Sequence, residues 1–152
     1  MVNSKSHRKG LYKPINKHKY VGDINNITYR SGWELGTCKY LDLNPDVQYW
    51  SSETAKVQYR CPTDNSPHVY YIDFTIKYTN GEILLVEVKP SNQTIKPKSS
   101  KGKSKATTLT ENLAFIKNVA KWKSAHEYAQ ANGAKFVIWT EKYLKTIGVP
   151  CG

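Results

Sequence analysis

Acidic residues are scarce in this chain. Its 152 residues include 12 Asp and Glu against 23 Lys and Arg, a formal charge of +11. No acid occurs in residues 1–19, and none between Glu87 and Glu111. That imbalance argues against a cationic partner and points to a polyanion, most simply nucleic acid. Long apolar runs are also missing. None reaches membrane-spanning length, and no apolar segment follows the basic N-terminus as a signal peptide requires, so no membrane role is expected. Cysteine is sparse, odd in number and scattered at Cys38, Cys61 and Cys151. Such spacing suits neither a disulfide framework nor a zinc site, and predicts free thiols in a reducing compartment.

What is present fits one globular domain. Hydrophobic residues make up 39% of the chain, with four Trp and eleven Tyr, enough for a proper core. Residues 1–19 carry Lys5, Arg8, Lys9, Lys13, Lys17 and Lys19, and read as a basic flexible arm ahead of a domain spanning 20–152. His7 and His18 lie in the arm without partner spacing and are assigned no role.

The most informative stretch is Val69–Pro90. Residues 69–78 alternate, with Tyr70, Ile72, Phe74, Ile76 and Tyr78 on one face and Asp73, Thr75 and Lys77 on the other. In 82–89, Leu84, Val86 and Val88 share a face, opposite Ile83, Leu85, Glu87 and Lys89. Asn80-Gly81 marks a hairpin between the two runs. A two-residue loop would set Asp73 beside Val88 and mix the apolar faces. A three-residue loop, Thr79-Asn80-Gly81 with Gly81 left-handed, pairs Tyr78 with Glu82 and keeps the faces apart. The hydrophobic pattern selects the second register, because a one-residue slip reverses every side chain. Asp73 then lies opposite Glu87, with Lys89 on the same side as Glu87.

Facing carboxylates repel unless a positive charge joins them. A divalent cation with oxygen ligands is one solution. A solvated face with Lys89 as ordinary counter-charge is the other. Ile83 and Leu85 beside Glu87 suggest a covered face, where charge is costly and more often functional.

Elsewhere, Ser31 and Glu34 form a capping box at the start of a helix that Asn44-Pro45 ends, with Gly36 weakening it slightly. Glu34 also shares a stripe with Cys38 and Leu41 that should face the core, so cap and site are both open roles for it. Short strands are expected at Val47–Trp50 and Lys56–Arg60, followed by a loop over Cys61–Pro67 with His68 as a surface residue at its edge. Residues 90–107 are low in complexity and carry Lys96, Lys98, Lys101, Lys103 and Lys105, a loop suited to tracking phosphates. A second helix runs from about Thr108, capped with Glu111, to Ala131, and Gly133 closes it. Its stripe of Leu109, Leu113, Ile116 and Ala120, with Phe115, Val119 and Trp122 beside it, should pack on a sheet. Lys117, Lys121 and Lys123 add positive charge to its other side, and His126 reads as a packed helix residue. A strand over Lys135–Thr140 and a short helix over Glu141–Ile147 complete an α/β (α+β) chain of order αβββαβ.

Asp73, then Glu87-Val88-Lys89 on the next strand, with Glu34 on the preceding helix, resembles the PD-(D/E)XK nuclease superfamily. With Tyr29-Arg30-Ser31, Trp33-Glu34, Asn44-Pro45, Val47, Asp73-Phe74, Glu87-Val88-Lys89-Pro90 and Ala120-Lys121-Trp122, the chain is similar to the head completion nucleases of tailed phages. It is similar too to the transposase subunit that nicks transposon ends. Ile72 stands where the superfamily signature has Pro.

The resemblance covers roughly residues 12–145. It implies a restriction-endonuclease-like core, a mixed central sheet flanked by helices. It also implies Mg²⁺-dependent cleavage of DNA to 5′-phosphate and 3′-hydroxyl ends, with Mn²⁺ able to substitute. Asp73, Glu87 and the main-chain carbonyl of Val88 would hold the metal, with Glu34 helping directly or through water. Lys89 would be the catalytic lysine, and Lys121 would contact a phosphate. Phage head or portal proteins would be partners, in the host cytoplasm or the virion. A non-catalytic DNA-binding virion component and a transposon-end or junction-cutting nuclease are the competing expectations.

Overall fold

The computed structural model describes residues 9–151. In chain order its elements are β1 (Gly10–Leu11), β2 (Thr28–Tyr29), α1 (Gly32–Leu43), β3 (Val47–Ser52), β4 (Lys56–Cys61), β5 (Ser66–Tyr71), β6 (Phe74–Tyr78), β7 (Ile83–Val88), α2 (Lys105–Ala131), β8 (Lys135–Trp139) and α3 (Glu141–Thr146). Single 3-10 turns lie at Lys17–Lys19 and Ser91–Gln93.

The β6–β7 hairpin turns through Thr79-Asn80-Gly81. Tyr78 N–H donates to Glu82 O at 2.8 Å, and Gly81 takes φ +92°, a conformation an L side chain would strain. Phe74 pairs with Val86 and Ile76 with Leu84, the register of the three-residue loop. The central sheet is ordered β3-β6-β7-β8. Its first two pairings are antiparallel and β7–β8 is parallel, with α2 as the crossover that a parallel pair needs. Taken with α1, the sheet and its crossover follow the order αβββαβ, and β4–β5 is a separate hairpin inserted between β3 and β6.

That insertion corrects the reading of 69–78 as one strand. At Ile72-Asp73 the chain leaves the β4–β5 pair and enters the central sheet. Ile72 N–H donates to Ala55 O, while Asp73 O accepts from Glu53 N–H, both at 3.0 Å. The break reverses the alternation. Phe74, Ile76, Val86 and Val88 face α1, packing with Cys38, Leu41 and Trp50. Tyr70 and Ile72 lie on the other side with Leu85, Val57, Tyr59 and Ala125 of α2. The expected 61–67 loop is shorter than read: residues 62–65 form the turn, while Cys61 pairs with Ser66 and Arg60 with Pro67 in the β4–β5 ladder.

α2 also departs from expectation. Ser104 is its N-cap, its Oγ accepting from Thr107 N–H, so Thr108 and Glu111 lie inside the helix and the Lys-rich loop ends three residues earlier. Gly133 does close it, at φ +69°. The helix meets the sheet through Ala125 and Ala129, small enough for close approach, while Leu109, Leu113, Ile116 and Val119 are exposed on its opposite face. His126, expected to be packed, is exposed. Gly36 has a positive reason to be glycine: a Cβ there would lie 2.6 Å from Val149 Cγ1.

The flexible arm expected over 1–19 does not include residues 10–19, which are tied to the domain. β1 pairs with β2, and buried Asp42 collects Tyr12 Oη–H at 2.6 Å, Ile15 N–H at 2.7 Å and Asn16 N–H at 2.9 Å. Lys19 Nζ donates to the carbonyls of Asp42 and Asn44, the end of α1. Lys5, Arg8 and His7 lie outside the described residues. Cys38, Cys61 and Cys151 take part in no disulfide among the described residues. No helix among the described residues is long and apolar enough to cross a membrane.

Candidate active site

Carrying the β6–β7 register one step past Phe74–Val86 sets Asp73 across from Glu87. Because Ile72 has turned away to β4, Asp73 itself closes the ladder: its Oδ2 accepts from Val88 N–H at 2.8 Å. Glu87 is 7% exposed, on the face that α2 covers. Its Oε1 accepts from Tyr70 Oη–H at 2.6 Å, and its Oε2 lies 3.5 Å from Lys89 Nζ. Burial raises the Tyr70 hydroxyl well above its ordinary value, and the nearby carboxylates of Glu87 and Asp73 raise it further, so it stays a donor.

Glu34 reaches the same region from the start of α1. Ser31 Oγ accepts Glu34 N–H at 3.2 Å, and Glu34 Oε1 accepts Arg30 N–H at 3.2 Å, a capping arrangement shifted by one residue. Yet Glu34 is 7% exposed and not turned to water. Arg30 pairs with Glu53 at 3.0 Å, and its guanidinium is held above its ordinary value first by Glu53 and then by Glu34 and Asp73. Glu34 and Asp73 both act on the charge of Arg30, and the Tyr70 hydroxyl, hydrogen-bonded to Glu87, also feels Asp73. The four residues expected to form a site, Glu34, Asp73, Glu87 and Lys89, are brought to one end of the sheet.

Their donor set is oxygen throughout: carboxylates of Asp73 and Glu87, with the Val88 main chain beside them. That chemistry fits Mg²⁺ or Mn²⁺ rather than a thiolate-seeking ion. Lys121 of α2 stands over the Tyr70 ring at 5.5 Å. Burial lowers its ammonium from the ordinary value, opposed by Glu87 and reinforced by Lys89 and Lys117, which sets it in the same neighbourhood.

The loop lysines stand apart. Lys96, Lys98, Lys101, Lys103 and Lys105 are exposed, Lys105 in the first turn of α2, and Lys103 pairs with Glu111 at 2.7 Å. The loop folds against α2 around a cavity of about 610 Å³ lined by Ile95, Lys96, Lys98 and Phe115.

A separate group forms at the β4–β5 turn, where donor atoms of Cys61, Asp64 and His68 lie within 4.8 Å of one another. His68 was expected as a plain surface residue, and Cys61 as unsuited to a metal. Asp64 Oδ2 and His68 Nε2 are 2.7 Å apart, and hydrogen bonds from Ser66 and His68 hold Asp64 down at about 2. Those bonds account for the Asp64–His68 pairing, and Cys61 Sγ is engaged by Thr63 Oγ1 at 3.0 Å.

Three members of the site's surroundings are assigned no role in the site from sequence. Tyr70 is one tyrosine among eleven. Arg30 adjoins a cap, and Glu53 sits in a turn. Only the φ of +57° at Glu53 sets it apart, and that is visible only in three dimensions.

Residues 44–141 match the family model of the TnsA-like endonuclease N-terminal domain. The chain belongs to the TnsA-like endonuclease family. That match takes in Asp73, Glu87, Lys89 and Lys121 and begins after Glu34. The chain is also similar to the head completion nuclease of Enterobacteria phage T4, at 36% identity over 142 residues, covering 91% of this chain and 95% of that protein. The resemblance to head completion nucleases and to the transposon-end nuclease subunit therefore holds, and a TnsA-like endonuclease fold is what the αβββαβ core represents here.

Proposed function

We propose that this chain is a metal-dependent DNA endonuclease that hydrolyses phosphodiester bonds, acting as a head completion nuclease on packaged DNA ends. The observation that carries the reading is the convergence of Asp73, Glu87 and Lys89 at one sheet end in a chain of charge +11. Binding alone gives no reason to aim carboxylates at phosphate, so the non-catalytic reading is the weaker one.

Asp73, Glu87 and the Val88 carbonyl would hold a Mg²⁺ or Mn²⁺ ion, and Glu34 would contribute directly or through a water. When bound, such an ion supplies a water of lowered pKa and neutralises charge on the phosphate oxygens. Lys89 orients the attacking water and stabilises the charge that builds on the phosphate. Lys121, over the Tyr70 ring at 5.5 Å and within the fields of Glu87 and Lys89, would contact the neighbouring phosphate. Lys96, Lys98, Lys101, Lys103 and Lys105 track the backbone further along. The products are 5′-phosphate and 3′-hydroxyl ends. Phage head or portal proteins are the protein partners, met in the host cytoplasm or in the virion.

Cleavage of linear, nicked, branched and circular DNA, with Mg²⁺, Mn²⁺ or chelator, tests the proposal. Metal-dependent product that vanishes with Asp73→Asn is expected. Preference for branched or transposon-end substrates would favour the junction-cutting alternative. DNA binding without cleavage of any form would favour the non-catalytic one.

A further inference from the structure

Both oxygens of Glu87 have partners, and the two contacts differ in kind. Tyr70 Oη–H meets Oε1 at 2.6 Å, between residues that are 5% and 7% exposed. Lys89 Nζ stands 3.5 Å from Oε2, longer than the roughly 2.7–2.9 Å of a charge-assisted hydrogen bond. The first contact also joins strands of different sheets, since Tyr70 is on β5 and Glu87 on β7. The tyrosine cannot readily follow the carboxylate. Its ring is packed with Val57, Leu85 and Ala125, and Lys121 covers it.

We infer that Tyr70 is a positioning residue, whose hydroxyl pins Glu87 Oε1 and leaves Oε2 as the oxygen that meets the divalent cation. This rests on the metal-dependent reading of the site. A carboxylate free to rotate can offer a cation both oxygens or swing toward Lys89. One held by Oε1 offers a single oxygen in a fixed direction, which suits a small ion that keeps several waters. With Oε2 given to a cation, Lys89, which stands 3.5 Å from that oxygen, would be free to meet water and phosphate. The break at Ile72-Asp73 is what makes the contact possible. It sends Tyr70 to the α2 side of the sheet, where an unbroken strand would have turned it toward α1. Loss of an outer hydrogen bond of this type typically weakens metal affinity or activity roughly 10- to 100-fold.

Tyr70→Phe keeps the ring and its packing and removes only the hydroxyl. Calorimetric titration with Mn²⁺, without DNA, should show binding about 10- to 100-fold weaker than wild type, with kcat falling in parallel. DNA affinity measured in chelator should be unchanged. In a Glu87→Gln background, adding Tyr70→Phe should weaken Mn²⁺ binding no further. Mn²⁺ affinity equal to wild type in Tyr70→Phe would overturn the inference alone, as would an undiminished loss in the Glu87→Gln background. A wild-type protein that binds no Mn²⁺ would overturn the reading of the site along with it. Should Tyr70→Phe not fold, a crystal structure of the wild type with Mn²⁺ decides. The ion on Oε2 with Tyr70 still on Oε1 is expected, and the ion on Oε1 with the hydroxyl displaced would contradict it.

Discussion

Asp73 Oδ2 accepts a hydrogen bond from Val88 N–H at 2.8 Å, so a side chain completes the β6–β7 ladder where main chain would be expected. The same contact fixes the acidic group beside Glu87 and Lys89. Fold and candidate chemistry therefore meet in one bond, and a change at Asp73 should be read with both in mind. Asparagine keeps an oxygen for Val88 N–H, so Asp73→Asn isolates the charge.

Glu34→Gln separates capping from chemistry. Glutamine can still accept from Arg30 N–H and complete the capping arrangement, so thermal stability should stay within about 0.5 kcal/mol of wild type. Cleavage should nevertheless fall at least tenfold, because Glu34 lies buried beside Arg30 with Asp73 near. Unchanged cleavage by the folded variant would reduce Glu34 to a cap.

The loop lysines should set the salt dependence of DNA binding. Replacing Lys96, Lys98 and Lys101 together by Gln removes three cations, which should flatten the slope of log K against log salt by about 2–3. An unchanged slope, measured by titration across salt concentrations, would mean the loop does not meet the backbone. Lys103 is left out because Glu111 already engages it.

Asp42 should give stability an acid limb. Burial pushes its carboxyl up, but the Tyr12 hydroxyl and the N–H groups of Ile15 and Asn16 outweigh that and hold it below its ordinary 3.8. A depressed folded value means the contribution is complete above about pH 4–5 and fades as pH falls through the folded value. Melting of wild type and Asp42→Asn across pH should show a gap that is full at pH 6 and narrows below pH 4. A constant gap would show that Asp42 acts through its shape alone.

Much of this was legible in the sequence, for identifiable reasons. Asn80-Gly81 and the alternation around it fixed a register, and the register placed Asp73 against Glu87. Ser31 and Asn44 marked both ends of α1. The break at Ile72-Asp73 was hidden because alternation ran unbroken through it, and only the pull of Ala55 and Glu53 from a distant turn divides the strand. Tyr70 was hidden for the same reason, since its face depends on that break. In α2 the larger apolar residues drew attention, while the packing runs through two alanines that carry little pattern.

The corrected face of α2 is itself testable. Leu109→Ser with Leu113→Ser should change stability by less than about 1 kcal/mol, since both side chains are exposed. Ala125→Leu should cost about 1–3 kcal/mol by forcing the helix off the sheet. Chemical denaturation of both variants checks this, and the reverse order would restore the face expected from sequence.

The central claim is tested most directly by single-turnover DNA cleavage in Mg²⁺ or Mn²⁺ by wild type, Asp73→Asn and Glu87→Gln, beside their DNA affinities in chelator. Wild type should cleave, and both variants should lose cleavage by orders of magnitude while binding DNA as well or more tightly, each having one negative charge fewer near phosphate. Variants that cleave at the wild-type rate, or a pure wild type that binds DNA and cleaves none with either metal, would contradict the account.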